Sequence, residues 1–193
     1  MTLAGAMPEP LPDILAKGLD VVFCGINPAL SAAAAGHHFV ARTNRFWRVI
    51  HLAGFTPEEV HPENDRTLLQ HGCGLTAVVE RPTARADELS AQDFAAVATR
   101  FERKIARFAP RFVAFLGKAA YSALSGEREI TWGTQGAAFG GAEVWVLPNP
   151  SGRNRAFSLE QLIERYRAFH QAVVFTASAP PTERGKVRAR TRR

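Results

Sequence analysis

The sequence predicts an α/β fold, a three-layer α/β/α sandwich built on a central, mainly parallel sheet. Three observations lead there. Short apolar runs of strand length, at residues 21–24, 74–80, 112–116 and 144–147, alternate with longer segments of helical spacing. The runs are apolar at nearly every position rather than at alternate ones, the pattern of strands covered on both faces. The first and last runs also end on the same device, Asn-Pro among small residues: Gly25-Ile26-Asn27-Pro28-Ala29 and Leu147-Pro148-Asn149-Pro150-Ser151-Gly152. In open α/β sheets ligands bind beyond the carboxyl ends of the strands. Two such loops would therefore face one another across a single cleft, and Asn27 lies where chemistry is expected.

Each element follows in turn. Residues 1–20 carry Pro8, Pro10 and Pro12 and no apolar core flanked by basic residues, so no signal peptide is read there, and 1–19 are expected to be partly irregular. After the first strand, 31–39 is a small-residue loop that would let a ligand approach the backbone. Residues 43–54 open on capping-type side chains and close on Gly54, with Phe46, Val49, Ile50 and Ala53 at helical spacing. A weaker helical segment covers 57–71 around Leu68 and Leu69. The strand at 74–80 is turned by Arg81-Pro82-Thr83. Ser90-Ala91-Gln92-Asp93 reads as a capping box for a long helix whose stripe is Phe94, Val97, Phe101, Ile105 and Phe108, stopped by Pro110. Arg100, Arg103, Lys104 and Arg107 would occupy its solvated faces. A short helix over 118–124 follows the third strand, and the Gly-rich stretch 132–141 is irregular or an edge hairpin. Ser158-Leu159-Glu160-Gln161 caps a last helix with the stripe Leu159, Leu162, Ile163, Tyr166, Phe169 and Val173.

The 193 residues suit one domain, 1–178, long enough to bury roughly 70% of the unfolded chain's surface. No apolar run approaches the ~20 residues of a membrane span. Only Cys24 and Cys73 are present, too few for a disulfide framework or a cysteine-held cluster, so an intracellular, cytoplasmic, reduced protein is expected. Of the net charge of +6, +5 comes from Pro180 onward, leaving +1 for the body. The basic tail, 179–193, has no hydrophobic periodicity and is expected to be disordered, either a phosphate contact for nucleic acid or a solubilising end.

Subtraction narrows the chemistry. No G-x-G-x-x-G follows a strand, and neither a P-loop nor a G-x-S-x-G elbow is present. The six histidines show no metal-binding spacing, so no metal and no cofactor are expected. What remains is a set of uncharged Asn-Pro loops, exposed backbone amides, an aromatic at Phe39, and Arg153-Asn154-Arg155 after the second loop. Such parts suit a planar polar ligand: amides bond base carbonyls, Phe39 stacks, Asn27 orients a water, and Arg153 and Arg155 meet phosphates or enter a duplex. A base flipped from DNA fits all of these.

Gly25-Ile26-Asn27-Pro28, Asn44-Arg45-Phe46-Trp47 and Leu147-Pro148-Asn149-Pro150-Ser151-Gly152, with Arg81-Pro82-Thr83 between, closely resemble the bacterial mismatch-specific uracil-DNA glycosylases, which share a family with thymine-DNA glycosylases. The similarity runs in order from about Asp20 to Val174. It implies a uracil-DNA glycosylase-like fold and a monofunctional enzyme that hydrolyses the N-glycosidic bond of uracil in double-stranded DNA, G·U mismatches above all. By the same resemblance Asn27 positions the hydrolytic water, Phe39 stacks on the uracil, and amides near Ile26 and Phe39 read its polar edge. Asn149 holds the base, and Ser151-Gly152-Arg153 forms a wedge with Arg153 in the vacated stack. Arg155 and Asn44 join the DNA contact, although Asn44 also reads as a helix cap. Arg45 and Arg48 are a solvated face or phosphate contacts. The chain departs from the family at Ala29, where Gly is frequent, at Arg153, where some bacterial relatives have Leu, and at alanines 32 to 35, which replace loop hydroxyls. Asp87, Glu88 and Asp93 are candidates for an assisting carboxylate. A monomer is expected. The rivals are a non-catalytic mismatch- or damage-binding DNA module and a hydrolase of free nucleosides.

Overall fold

The computed structural model describes residues 9–178. Its sheet has five strands: β1 (Val21–Gly25), β2 (Cys73–Ala77), β3 (Phe112–Leu116), β4 (Gly133–Phe139) and β5 (Ala142–Leu147). They lie in the order β2-β1-β3-β5-β4. All neighbours are parallel except β4, which runs antiparallel to β5 at the edge. Val21 lies opposite both Cys73 and Phe112, and Leu116 opposite Leu147. This register delivers Gly25, Ala77, Leu116 and Leu147 to the same end of the sheet. The chain turns one way from β1 to β2 and the other way to β3, so the crevice beyond β1 and β3 is the switch point where such sheets bind ligands.

Both faces of the sheet are covered, as unbroken apolar strands require. Val21 and Phe23 of β1, with Phe112, Ala114 and Leu116 of β3, pack under α2 (Phe46–Ala53) and α5 (Leu159–Ser178). The alternate residues Val22, Cys24, Val113 and Phe115 pack under α3 (Ala91–Phe108) and α4 (Lys118–Ser125). The expected helical stripes supply these layers: Phe46, Val49, Ile50 and Ala53 from α2, Phe94, Phe101 and Ile105 from α3, and Leu162, Tyr166, Phe169 and Val173 from α5 are all buried. The capping boxes form too. Ser90 Oγ accepts from the Asp93 N–H while Asp93 accepts from the Ser90 N–H, and Ser158 and Gln161 make the equivalent exchange before α5. Cys24 and Cys73 are free and buried; burial pushes the Cys24 thiol up and the Cys73 thiol up to about 12, so neither is poised as a thiolate.

Three local expectations change. The small-residue stretch after β1 is not a loop throughout: α1 (Leu30–Ala35) occupies most of it, ended by Gly36. Alanine is the strongest helix former, and after Ser31 the four alanines 32 to 35 present no polar side chain to compete for the backbone. The segment 57–71 is helical only over Pro62–His71, and there as a 3₁₀ helix kinked at Asn64. Lys104 is not on a solvated face. It is half-buried and paired with Asp13 and Glu80. Burial favours its neutral form, but the two carboxylates more than offset this and raise its pKa. The Asp13 pair fastens this N-terminal segment to α3, while Ile14 exchanges backbone hydrogen bonds of 2.9 Å with Leu75 of the sheet. The expected basic tail, 179–193, lies outside the described residues. Among those described, no helix is long and apolar enough to cross a membrane.

Candidate active site

A cleft of about 640 Å³ opens at the carboxyl end of the sheet, within the size range of small-ligand sites. Both Asn-Pro loops line it. Ile26, Asn27, Phe39, Asn44, Asn149, Ser151, Gly152 and Arg153 are all on its wall; Arg155 is exposed outside it.

Asn27 is held by the loop that follows β2. The two chains zip together beyond the sheet: Val78 and Val79 N–H groups donate to the carbonyls of Gly25 and Ile26, the Thr83 N–H to that of Pro28, and the Leu30 N–H to that of Thr83. Asn27 Nδ2 donates to the Arg81 carbonyl at 3.0 Å and to Thr83 Oγ1 at 2.7 Å. The Thr83 hydroxyl spends its own proton on the Arg85 carbonyl at 2.7 Å. It can therefore only accept from Asn27, and the Arg81 carbonyl can only accept as well. The amide orientation follows from this: the NH₂ group faces the loop, and Oδ1 of this cleft-lining residue has no partner among the described residues. Thr83, 4% exposed, is thus a site residue, whereas the sequence marks it only as the end of a turn and as a member of the Arg81-Pro82-Thr83 segment. A threonine after proline carries no signal of its partner 56 positions away.

Phe39 sits at φ +55°, a left-handed conformation that non-glycine residues seldom adopt. Its surroundings hold it there. The His38 N–H donates to buried Asp65 at 3.0 Å, the His38 carbonyl accepts from Trp47 Nε1, and His38 Nε2 lies 3.0 Å from the Pro12 carbonyl. Because a carbonyl only accepts, Nε2 bears the proton. Burial lowers the His38 pKa below its ordinary 6.5, outweighing the Pro12 and Asp65 contributions, so the ring is neutral at pH 7. The twist lays Phe39 on Phe46, with ring centroids 4.2 Å apart and 28° between planes. Phe39 also lines the cleft, so its backing is fixed while part of it stays open. The backbone N–H groups of Ile26 and Phe39 have no hydrogen-bond partner among the described residues.

The second loop is organised from its own side. Asn149 Oδ1 accepts from the Ser151 N–H at 2.9 Å, which leaves its NH₂ group without a partner among the described residues. The Asn154 side chain donates to the Asn149 carbonyl, and the buried Tyr166 hydroxyl donates to that of Pro148. Gly152 is pressed onto residue 43: a Cβ there would stand 2.5 Å from both Thr43 Cβ and its carbonyl oxygen. Arg153 and Arg155 are exposed, without hydrogen bond or ion pair from their guanidinium groups among the described residues. Asn44 stands one residue before the N-cap position, held by Arg45; its Oδ1 accepts from the Phe46 N–H at 3.0 Å, and the residue also lines the cleft.

Arg45 is neither solvated nor free for phosphate. It is half-buried, and its guanidinium donates to four carbonyls of the second loop. The candidate assisting carboxylates do not reach the cleft wall. Asp87 is paired with Arg85, Asp93 serves Ser90 and Arg81, and Glu88 is exposed. Among the described residues no three His, Cys, Asp or Glu side chains converge as metal ligands would. The cleft thus offers an uncharged acceptor at Asn27, donors at Ile26, Phe39 and Asn149, an aromatic face, and the exposed cation of Arg153 on its wall.

Comparison with known proteins bears on this arrangement. A solution NMR structure from Methanosarcina acetivorans, described provisionally as a uracil DNA glycosylase, superposes with a TM-score of 0.58 at 20% identity, covering 84% of this chain and 98% of that one. At that identity the likeness is one of fold, and it agrees with the α/β architecture of the mainly parallel sheet. The family model described as the uracil DNA glycosylase superfamily matches residues 12–174, a span that includes every residue of the cleft except Leu11. The chain belongs to the uracil DNA glycosylase superfamily.

Proposed function

We propose that the protein is a monofunctional, monomeric glycosylase that excises uracil from double-stranded DNA, G·U mismatches in particular, and leaves an abasic site. The observation that carries this reading is the enforced orientation of Asn27, whose Oδ1 has no partner among the described residues, in a cleft whose wall also carries three donors without one there.

In this scheme the uracil leaves the stack, lies against Phe39, and places its carbonyl oxygens at the Ile26 and Phe39 amides and the Asn149 NH₂ group. Asn27 Oδ1 accepts a hydrogen bond from a water and aligns its oxygen with the sugar C1′. The bond from C1′ to N1 breaks, and its electron pair leaves with uracil as an anion. The water oxygen bonds to C1′, and its proton passes to solvent. Fixed donors stabilise the departing anion without reorganising, which is where most of the rate enhancement arises. Asn27 cannot take the proton, so the chemistry depends on the leaving group's own stability and on positioning. Donors at the polar edge favour a base with two carbonyls over cytosine, whose amino group would meet a donor. Arg153 enters the space the base vacates, and Arg155 lies over phosphate.

A labelled duplex with a single G·U pair tests the reading. It is incubated with excess protein and EDTA, treated with alkali, and run beside A·U, G·T and single-stranded uracil. Strand cleavage at the uracil is expected. Intact DNA in every lane, with the duplex retarded in a gel shift, overturns the enzyme and leaves a damage-binding module.

A further inference from the structure

The side chain with the most hydrogen bonds near the cleft contributes nothing to its chemical inventory. Arg45 sits at the entry to α2, and its bonds all run to one distant segment. Nη1 donates to the Phe157 carbonyl at 2.8 Å, Nη2 to those of Asn154 at 2.9 Å and Ser151 at 3.1 Å, and Nε to that of Pro150 at 3.3 Å. Its backbone N–H reaches the Pro150 carbonyl as well, at 3.0 Å. Four carbonyls of residues 150–157 therefore converge on one guanidinium, whose flat fork presents donors in several directions at once. Gly152 rests directly on Thr43, two residues before. The loop is drawn onto the 43–45 segment, and its crown, Arg153, is left exposed at the cleft wall, its guanidinium without hydrogen bond or ion pair among the described residues.

We infer that Arg45 is the positioning residue of the wedge: it holds the 150–157 loop in the shape in which Arg153 can fill a gap in the duplex. The inference rests on the uracil-excision reading and adds a division of labour to it. Asn27 and the donors act on the flipped base, whereas Arg45 acts on the cost of getting it out. That cost is largest for a well-paired base and least for one without a partner. A preorganised wedge thus matters in proportion to how firmly the uracil is paired, and a fault in it weighs most on A·U, less on G·U, and least where uracil faces no base.

The test compares wild type with Arg45→Lys and Arg45→Ala under single-turnover conditions on three duplexes: A·U, G·U, and uracil opposite an abasic-site analogue. Lysine keeps the charge but cannot fork to four carbonyls. A 2-aminopurine beside the uracil reports unstacking separately from cleavage, and thermal unfolding reports fold. We expect the ratio of A·U to unpaired cleavage to fall about tenfold or more in both variants, as loss of charge-assisted hydrogen bonds implies. The 2-aminopurine signal on A·U falls with it. Equal loss on all three duplexes marks a merely structural residue and overturns the inference, as does no loss on any. An Arg45→Lys protein that does not fold overturns it too. Wild-type protein that cleaves none of the three brings down the underlying reading instead.

Discussion

Replacing Thr83 by Val keeps the shape of a buried, β-branched side chain and removes only its hydroxyl. That hydroxyl accepts from Asn27 at 2.7 Å and donates to the Arg85 carbonyl at 2.7 Å. Two consequences follow. The Arg85 carbonyl and one Asn27 N–H lose their partner, which costs about 1–3 kcal/mol of stability where water does not replace it. Asn27 retains only the Arg81 carbonyl, so its amide is held by one hydrogen bond instead of two and a larger share of molecules presents NH₂ to the water. One neutral hydrogen bond contributes ~1 kcal/mol, about fivefold in rate, and with up to half of the amides misdirected the loss in single-turnover rate is about 5- to 10-fold. DNA binding should change little, because Thr83 is 4% exposed and its hydroxyl is used wholly within the protein. Thr83→Ser restores the hydroxyl and should recover most of the rate. The assay is single-turnover cleavage of a G·U duplex at saturating protein, with affinity measured separately. A Thr83→Val rate within twofold of wild type would refute the argument that Thr83 orients Asn27, and so would a Ser variant as slow as the Val variant.

Three further outcomes can be checked. Asn27→Asp sets an oxygen against the Arg81 carbonyl and Thr83, so the new carboxyl should be held above the usual aspartate range and donate its proton there. Its pH–rate profile should show an acid limb that wild type lacks, and a flat profile defeats the prediction. Gly152→Ala places a Cβ 2.5 Å from Thr43 and must lift the loop, at about 1–3 kcal/mol in denaturant titration and with reduced cleavage; unchanged stability contradicts the packing. His38 is held below 6.5 by burial, so the unfolded chain gains the proton first as pH falls. Stability is full above 6.5 and is lost below it, down to the folded pKa, by at most about 1.4 kcal/mol per pH unit for one group. His170, also lowered by burial, adds in the same sense. Denaturation midpoints that do not fall on acidification, or a His38→Gln protein with the same slope as wild type, count against it.

What the sequence reveals and what it hides divide along the range of the interaction. The strands, the helical stripes and both capping boxes are local patterns, and residues such as Phe101, Tyr166 and the Ser90–Asp93 pair stand where the periodicity puts them. The two Asn-Pro loops were legible as one cleft because strand ends in a parallel sheet share an edge. The roles of Thr83 and Arg45 are not legible, although both residues stand in quoted motifs, since each acts on partners 56 and 105–112 positions away through bonds that leave no periodic trace. Lys104 was misplaced for a related reason. Its helical position marks it as surface, and only the fold brings Asp13 across to cover it. Alanines 32 to 35 read as a loop because a run of small residues lacks the apolar and polar contrast from which helices are recognised.

The central claim is that this cleft releases uracil with Asn27 aligning the water. The most direct measurement is chromatographic quantification of free uracil from a G·U duplex under single-turnover conditions, for wild type and Asn27→Ala at matched DNA occupancy. The account predicts one uracil per bound duplex for wild type, and release slowed at least about a hundredfold in the variant with DNA affinity retained. Equal release by both proteins would remove Asn27 from the chemistry, and bound duplex with no uracil from either would contradict the account as a whole.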